Sequence, residues 1–193
     1  KTVGPGESEN DNEGLPTFSS RDWVATAAEL AQRRPDVAIV GAPMDINTTY
    51  RPGARFGPKY VRSNAYDPGT YHLDLGLDIF EWLDVVDAGN AYCPHGQSAR
   101  SQRNIEAKVT DVLRADAFPM IIGGDHSITY PCATAVARKY GWGKVGLLHF
   151  DAHADTADSI EGHLHSHGTP MRRLIESGAI RGRNFVQVGL RGY

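Results

Sequence analysis

The 193 residues carry 20 Lys and Arg against 23 Asp and Glu, a formal net charge of -3, with 40% of residues hydrophobic. A chain of this length can bury a substantial core as one domain, and its charge balance gives no electrostatic footprint for nucleic acid or an anionic membrane. No run of eighteen apolar residues and no apolar leader in the first thirty are present, so neither a membrane span nor a signal peptide is expected; with Cys93 and Cys132 as the two cysteines, the expected setting is reducing and cytoplasmic.

Lys1 to Pro16 is polar, Gly-rich and acid-rich, without periodicity, and is expected to form a flexible arm ahead of a single domain over residues 17–193. Ser20 to Arg33 reads as a helix with Ser20 as N-cap and Trp23, Ala27, Leu30 and Ala31 at helical spacing. Asp36 to Ala42 is a β-branched apolar run that reads as a buried strand, followed by a long loop from Pro43 to Pro58. Loops of that length inside compact domains are usually functional. Pro58, at a first-turn position, starts a helix to about Asn64, and the turn-rich stretch Tyr66 to Phe80 resists assignment.

Trp82 to Ala88 reads as a strand, Ser98 to Ala115 as the best amphipathic helix, and Phe118 to Ile122 as a strand ended by Gly123-Gly124. A helix over Ser127 to Tyr140, a strand over Lys144 to Phe150, a helix over Thr169 to Ser177 and a strand over Asn184 to Leu190 complete the series. Strands alternating with helices predict an α/β fold, three αβα layers around a mostly parallel sheet covered on both faces. Ligands of such sheets sit beyond the carboxyl ends of the strands, where the loops after Ala42, Ile122 and Phe150 would gather. The chain opens on Lys1 rather than methionine, and Tyr193 directly follows an expected strand, so either end is expected to be a boundary within something longer.

Histidine is the unusual part of the composition: six of the eight fall between His126 and His167, among Asp125, Asp151, Asp155 and Asp158. In LHFDAHAD the strand runs into Asp151, His153 and Asp155 at alternate positions, and an extended backbone would aim all three to one side. Carboxylate oxygens mixed with imidazole suit Mn2+ and similar divalent ions; a solvated loop after a strand is the plainer alternative. Gly123-Gly124-Asp125-His126-Ser127 stands at a strand end and helix start. Its glycines would allow a sharp turn or a close approach, and His126 would reach the same crevice unless it merely caps the turn. The third group is His163-Leu-His165-Ser-His167-Gly-Thr-Pro, placed to fold back over the acids. His167 supplies a proton carrier suited to neutral pH, whereas His163 and His165 read equally well as solvent-facing.

Four stretches in this order, RPGARFGP at 51–58, GGDHS at 123–127, HFDAHADT at 149–156 and SHGTP at 166–170, resemble the ureohydrolase family of arginase, agmatinase and guanidinobutyrase, and its agmatinase-like branch most. The resemblance runs from about Pro16 to the last residue. It implies an arginase-like fold and hydrolysis of a guanidino compound, agmatine foremost, to urea and an amine by a hydroxide bridging two divalent ions, Mn2+ or alternatively Ni2+. By position, His126, Asp151 and Asp155 match ligands of one ion and His153 a ligand of the other, with Asp151 bridging. His167 matches the proton shuttle, and Asp125 stands behind the ligands. Asn47, His163 and His165 are candidates in the substrate-recognising loops 43–51 and 158–166. The family pattern adds two aspartates from a later segment, expected to lie outside these 193 residues, and an acid where Asn90 stands. Trimers or hexamers are implied. A formimino-group hydrolase, hydrolysis of guanidinobutyrate, guanidinopropionate or guanidine, and a non-catalytic chain with an incomplete metal site are the alternatives.

Overall fold

The computed structural model describes residues 16–64 and 70–191; the expected N-terminal arm lies outside them apart from Pro16. Three parallel strands form the main sheet in the order β4 (Val85–Asn90), β1 (Val37–Ala42), β5 (Phe118–Gly123). A second parallel pair joins β6 (Val145–Phe150) to β7 (Ile180–Val188), and a small antiparallel hairpin pairs β2 (Tyr71–His72) with β3 (Leu77–Asp78). The helices are α1 (Ala27–Arg33), α2 (Gly57–Asn64), α3 (Ile79–Trp82), α4 (Ser98–Arg114), α5 (Thr129–Tyr140) and α6 (Pro170–Glu176).

Alternation along β1 and β4 explains the layering. Ala38, Val40, Val86 and Ala88 point to one side, where they are buried with Leu30 of α1 and Val112 of α4. On the other side Asp87, in register with Ile39, receives Arg62 of α2 through two bonds of 2.8 Å. Helices thus cover both faces of β1, as the run of buried residues at 38–42 requires. A second cluster packs Ala42 and Met44 against Ile105 and Val109 of α4 and Ala135 of α5. A third gathers Ala137, Met171, Leu174 and Ile180 from α5, α6 and β7.

Several expectations change. The first helix starts at Ala27, not Ser20: Thr26 accepts from the backbone of Glu29 while the Glu29 carboxylate accepts from the backbone N–H of Thr26, a reciprocal cap that outcompetes the serine. Ser20 instead closes a short 3-10 turn, and Trp23 bridges to Asp87 in extended backbone. Trp82 belongs to α3, and β4 continues through Gly89 to Asn90. The α/β fold with parallel strands is as expected; among the described residues those strands fall into two groups, β5 and β6 not being paired with each other, and Phe118, Met120, Leu148 and Phe150 are exposed. Among the described residues no helix is long and apolar enough to cross a membrane.

Candidate metal centre

Three loops meet beyond the carboxyl ends of β1, β5 and β6, the first two tied through their backbones and the third through the His126 side chain. Asp125 N–H donates to the Met44 carbonyl at 2.7 Å, joining the loop after β5 to the loop after β1. Gly124 makes this approach possible: a Cβ on it would stand 1.8 Å from the Met44 carbonyl oxygen. The glycine is needed where these two protein segments touch. Asp125, buried, then fixes the turn that carries His126. Its carboxylate accepts from the backbone N–H groups of Ser127 (2.8 Å) and Asn47 (3.1 Å) and from the Ser127 hydroxyl.

The third segment does not hold the extended form expected of it. β6 ends at Phe150, and Asp155 takes a left-handed conformation (φ 51°), which aspartate tolerates better than most residues. Asp151 and Asp155 still converge on His126: the ring Nδ1 contacts Asp155 Oδ2 and lies 3.6 Å from Asp151 Oδ2. His153 is turned outward with its side chain 76% exposed, its Nδ1 lying 3.4 Å from Asp151 Oδ1. The place beside the acids is taken by His149, a residue outside the Asp151, His153, Asp155 spacing. Its Nε2 is 3.2 Å from Asp151 Oδ2, and its ring stacks on His126 with centroids 4.9 Å apart. His126, His149, Asp151 and Asp155 each bring a donor atom within 4.8 Å of the others. Parity was the available signal, since Asp151 follows His149 of β6 by two positions.

The carboxyl of Asp151 sits below the usual carboxylate range; partial desolvation opposes this, but the backbone N–H of His153, the charge of His126 and the bond from His149 outweigh it. Asp151 therefore presents an anion with its two oxygens facing different imidazoles, His126 and His149 on one side and His153 on the other. One imidazole and two carboxylates facing a single point suit a hard divalent ion, so the residues present fit a metal held by His126, Asp151 and Asp155. His153 lies outside this group of donors, its ring 3.4 Å from the other oxygen of Asp151.

The histidine-rich loop returns over this segment, as Ala157 N–H donates to the Gly168 carbonyl and Met171 N–H to the Asp155 carbonyl. His167 Nδ1 is 2.7 Å from the Asn47 carbonyl oxygen; a carbonyl only accepts, so Nδ1 carries a proton, and in the neutral form of the ring Nε2 holds the lone pair. The Asn47 side-chain amide nitrogen lies 2.8 Å from the His165 carbonyl and 3.0 Å from the hydroxyls of Ser98 and Ser127. Asn47 thus ties three loops together. His165, solvent-facing yet packed near the Tyr130 ring at 5.1 Å, titrates below the ordinary imidazole range, through desolvation first and the charge of Arg173 second. His163 is exposed, its backbone paired with Ile160. Asn90, where an acid was expected, accepts from Arg62 at 2.7 Å and extends the Arg62–Asp87 pair. Burial raises the thiol of Cys93 to about 11 and that of Cys132 to about 12.

Residues 35–193 match the model of the Arginase family. The chain is 40% identical over 157 residues to human mitochondrial guanidino acid hydrolase, covering 81% of this chain and 44% of that protein. It is 41% identical over 157 residues to the mitochondrial agmatinase of Gallus gallus, covering 81% of this chain and 46% of that protein. The structure superposes on proclavaminate amidino hydrolase from Streptomyces clavuligerus with a TM-score of 0.80 at 33% identity, covering 92% of this chain and 57% of the other. The chain spans about half the length of the curated relatives it matches.

Proposed function

The chain belongs to the arginase family, and on that premise we propose that it supplies the metal-binding loops of a hydrolase that splits agmatine, or a close guanidino analogue, into urea and an amine. The observation that carries this reading is the convergence of His126, from the exit of β5, with Asp151 and Asp155, from the exit of β6. Two separately encoded loops bring an imidazole and two carboxylates to one point, the donor set a hard divalent ion takes. His126, Asp151 and Asp155 would hold a first ion and His153, together with Asp151, would contribute to a second, with Mn2+ the preferred metal. Bound divalent ions supply a hydroxide at neutral pH and polarise the group it attacks.

The chain's own residues do the rest. The Asp151 and Asp155 carboxylates favour a cation, and a guanidinium is planar, delocalised and always charged. His167, anchored through Nδ1 to the Asn47 carbonyl, keeps Nε2 available to accept a proton and return it to the departing amine. Asp125 and Asn47 hold the loops in register, while the exposed His163 and His165 belong to the loop that meets the substrate's tail. Two cysteines with no disulfide framework favour a reducing, cytoplasmic setting, and the family likeness favours a trimer or hexamer. The test loads the chain with Mn2+, counts bound metal, and assays urea from agmatine and from guanidinobutyrate. Bound metal with urea from agmatine supports the reading. Metal content that is unaltered by Asp151→Ala overturns the site, and C–N cleavage of a formimino compound without urea from any guanidino compound overturns the substrate.

A further inference from the structure

His149 stands next to the proposed ligands, yet both of its nitrogens are engaged by the protein. It lies in register with Gln187 on the neighbouring strand, so the two side chains share a face. Gln187 Nε2 is 2.7 Å from the Ala154 carbonyl oxygen and 2.9 Å from His149 Nδ1. A carbonyl oxygen only accepts, so the amide must present its NH2 group to Ala154, and the second hydrogen of that group points to His149. Nδ1 is therefore the acceptor, and the ring proton resides on Nε2. That nitrogen lies 3.2 Å from Asp151 Oδ2 and donates to it.

The ring has little freedom to choose otherwise. It is 5% exposed and held between His126, at 4.9 Å, and Phe185, at 6.1 Å, both inclined 20° to it. Moving its proton to Nδ1 would set two N–H groups of Gln187 and His149 against each other, and turning the ring over would bring C–H groups to both partners; either leaves a polar group unsatisfied in a buried site. Asp151 meanwhile accepts on its other oxygen from the His153 backbone N–H at 2.9 Å. Each carboxylate oxygen thus takes one protein donor and keeps a lone pair for a cation.

We propose that His149, held by Gln187 in the Nε2–H form, is a positioning residue that aims the Asp151 carboxylate and is not itself a metal ligand. The pair also ties β7 to the ligand loop, since the same amide holds Ala154, next to Asp155. The inference rests on the metal site proposed above, and it differs from a reading in which His149 joins His126 as a second imidazole ligand of the first ion.

Nitrogen-correlated NMR of the metal-free 193-residue chain reads the tautomer directly. An unprotonated Nδ1 and protonated Nε2 on His149 are expected; the reverse form overturns the proposal. Mn2+ affinity, measured by competition with a fluorescent chelator, gives the second readout. His149→Phe keeps the stacking and removes the donor, and loss of such an outer partner typically weakens metal binding about 10–100-fold. His149→Gln places an amide donor near the former Nε2 and is expected to recover most of that loss. A glutamine variant no better than phenylalanine would overturn the proposal. If His149→Phe does not fold, the tautomer and the glutamine variant still decide. Failure of the unsubstituted chain to bind Mn2+ would remove the metal site itself, while the tautomer would report on the His149–Gln187 pair separately.

Discussion

Gly124→Ala tests whether the site depends on the weld between two loops. The added Cβ would lie 1.8 Å from the Met44 carbonyl oxygen, 2.6 Å from its carbon and 2.8 Å from its nitrogen. All three are backbone atoms, so no side-chain rotation relieves the clash, and the loops must separate by more than an ångström. That movement breaks the 2.7 Å bond from Asp125 N–H to the Met44 carbonyl, at about 0.5–1.5 kcal/mol. Overpacking adds about 1–3 kcal/mol. The expected loss of stability is about 1.5–4.5 kcal/mol, read from the denaturant midpoint at constant m. Because Asp125 also holds Asn47 and the turn of His126, Mn2+ retention should fall with it. Gly182→Ala is the control: nothing lies within 4 Å of a Cβ there, and a shift within about 0.5 kcal/mol is expected. Equal stability and equal metal content for Gly124→Ala and the unsubstituted chain would refute the reasoning.

Asp87→Ala should cost about 3–5 kcal/mol by stranding the buried Arg62 guanidinium, since the two side chains are 0% and 7% exposed; combining it with Arg62→Met should recover much of the loss in urea melts. Asp45, desolvated but held below the ordinary carboxylate range by the backbone N–H groups of Gly53 and Arg55 and the Arg55 guanidinium, stabilises the folded state above its unfolded pKa of about 4. That contribution is lost as pH falls through the lower folded value, so Asp45→Asn should flatten the acid limb of a stability profile; an unchanged limb would count against it. Metal analysis should find Asp151→Ala unable to retain metal and His153→Ala depleted of one ion preferentially; full occupancy of both positions in either variant would contradict the assignment. His167→Ala should retain metal and lose most turnover, and unimpaired urea release would take His167 out of the mechanism.

The half-length match to relatives sets the scale of what this chain holds. Its described residues contain the β1, β5 and β6 exits that carry the His and Asp motifs. They also contain two separate parallel sheets, with exposed apolar side chains at Phe118, Met120, Leu148 and Phe150. A period-two pattern records only which face of a strand is apolar, so it could not show that β5 and β6 lie unpaired with each other. The first helix was misplaced for a related reason. Serine caps are common signals, and only the reciprocal bonds of Thr26 and Glu29 distinguish the cap in use from one left idle.

Local order in the chain determined the strand–helix alternation, the run of buried residues in β1, and the clustering of His126, Asp151 and Asp155 at strand exits, because side-chain periodicity and turn residues act over a few positions. Tertiary structure decided the rest. It turned His153 outward, fixed the ring of His149 through Gln187, and spent Asn47 on joining loops, because the bonds to Gln187, Ser127 and His165 join residues tens of positions apart. Contacts at that separation leave no trace in spacing, which is why the motif was legible and the orientation of its members was not.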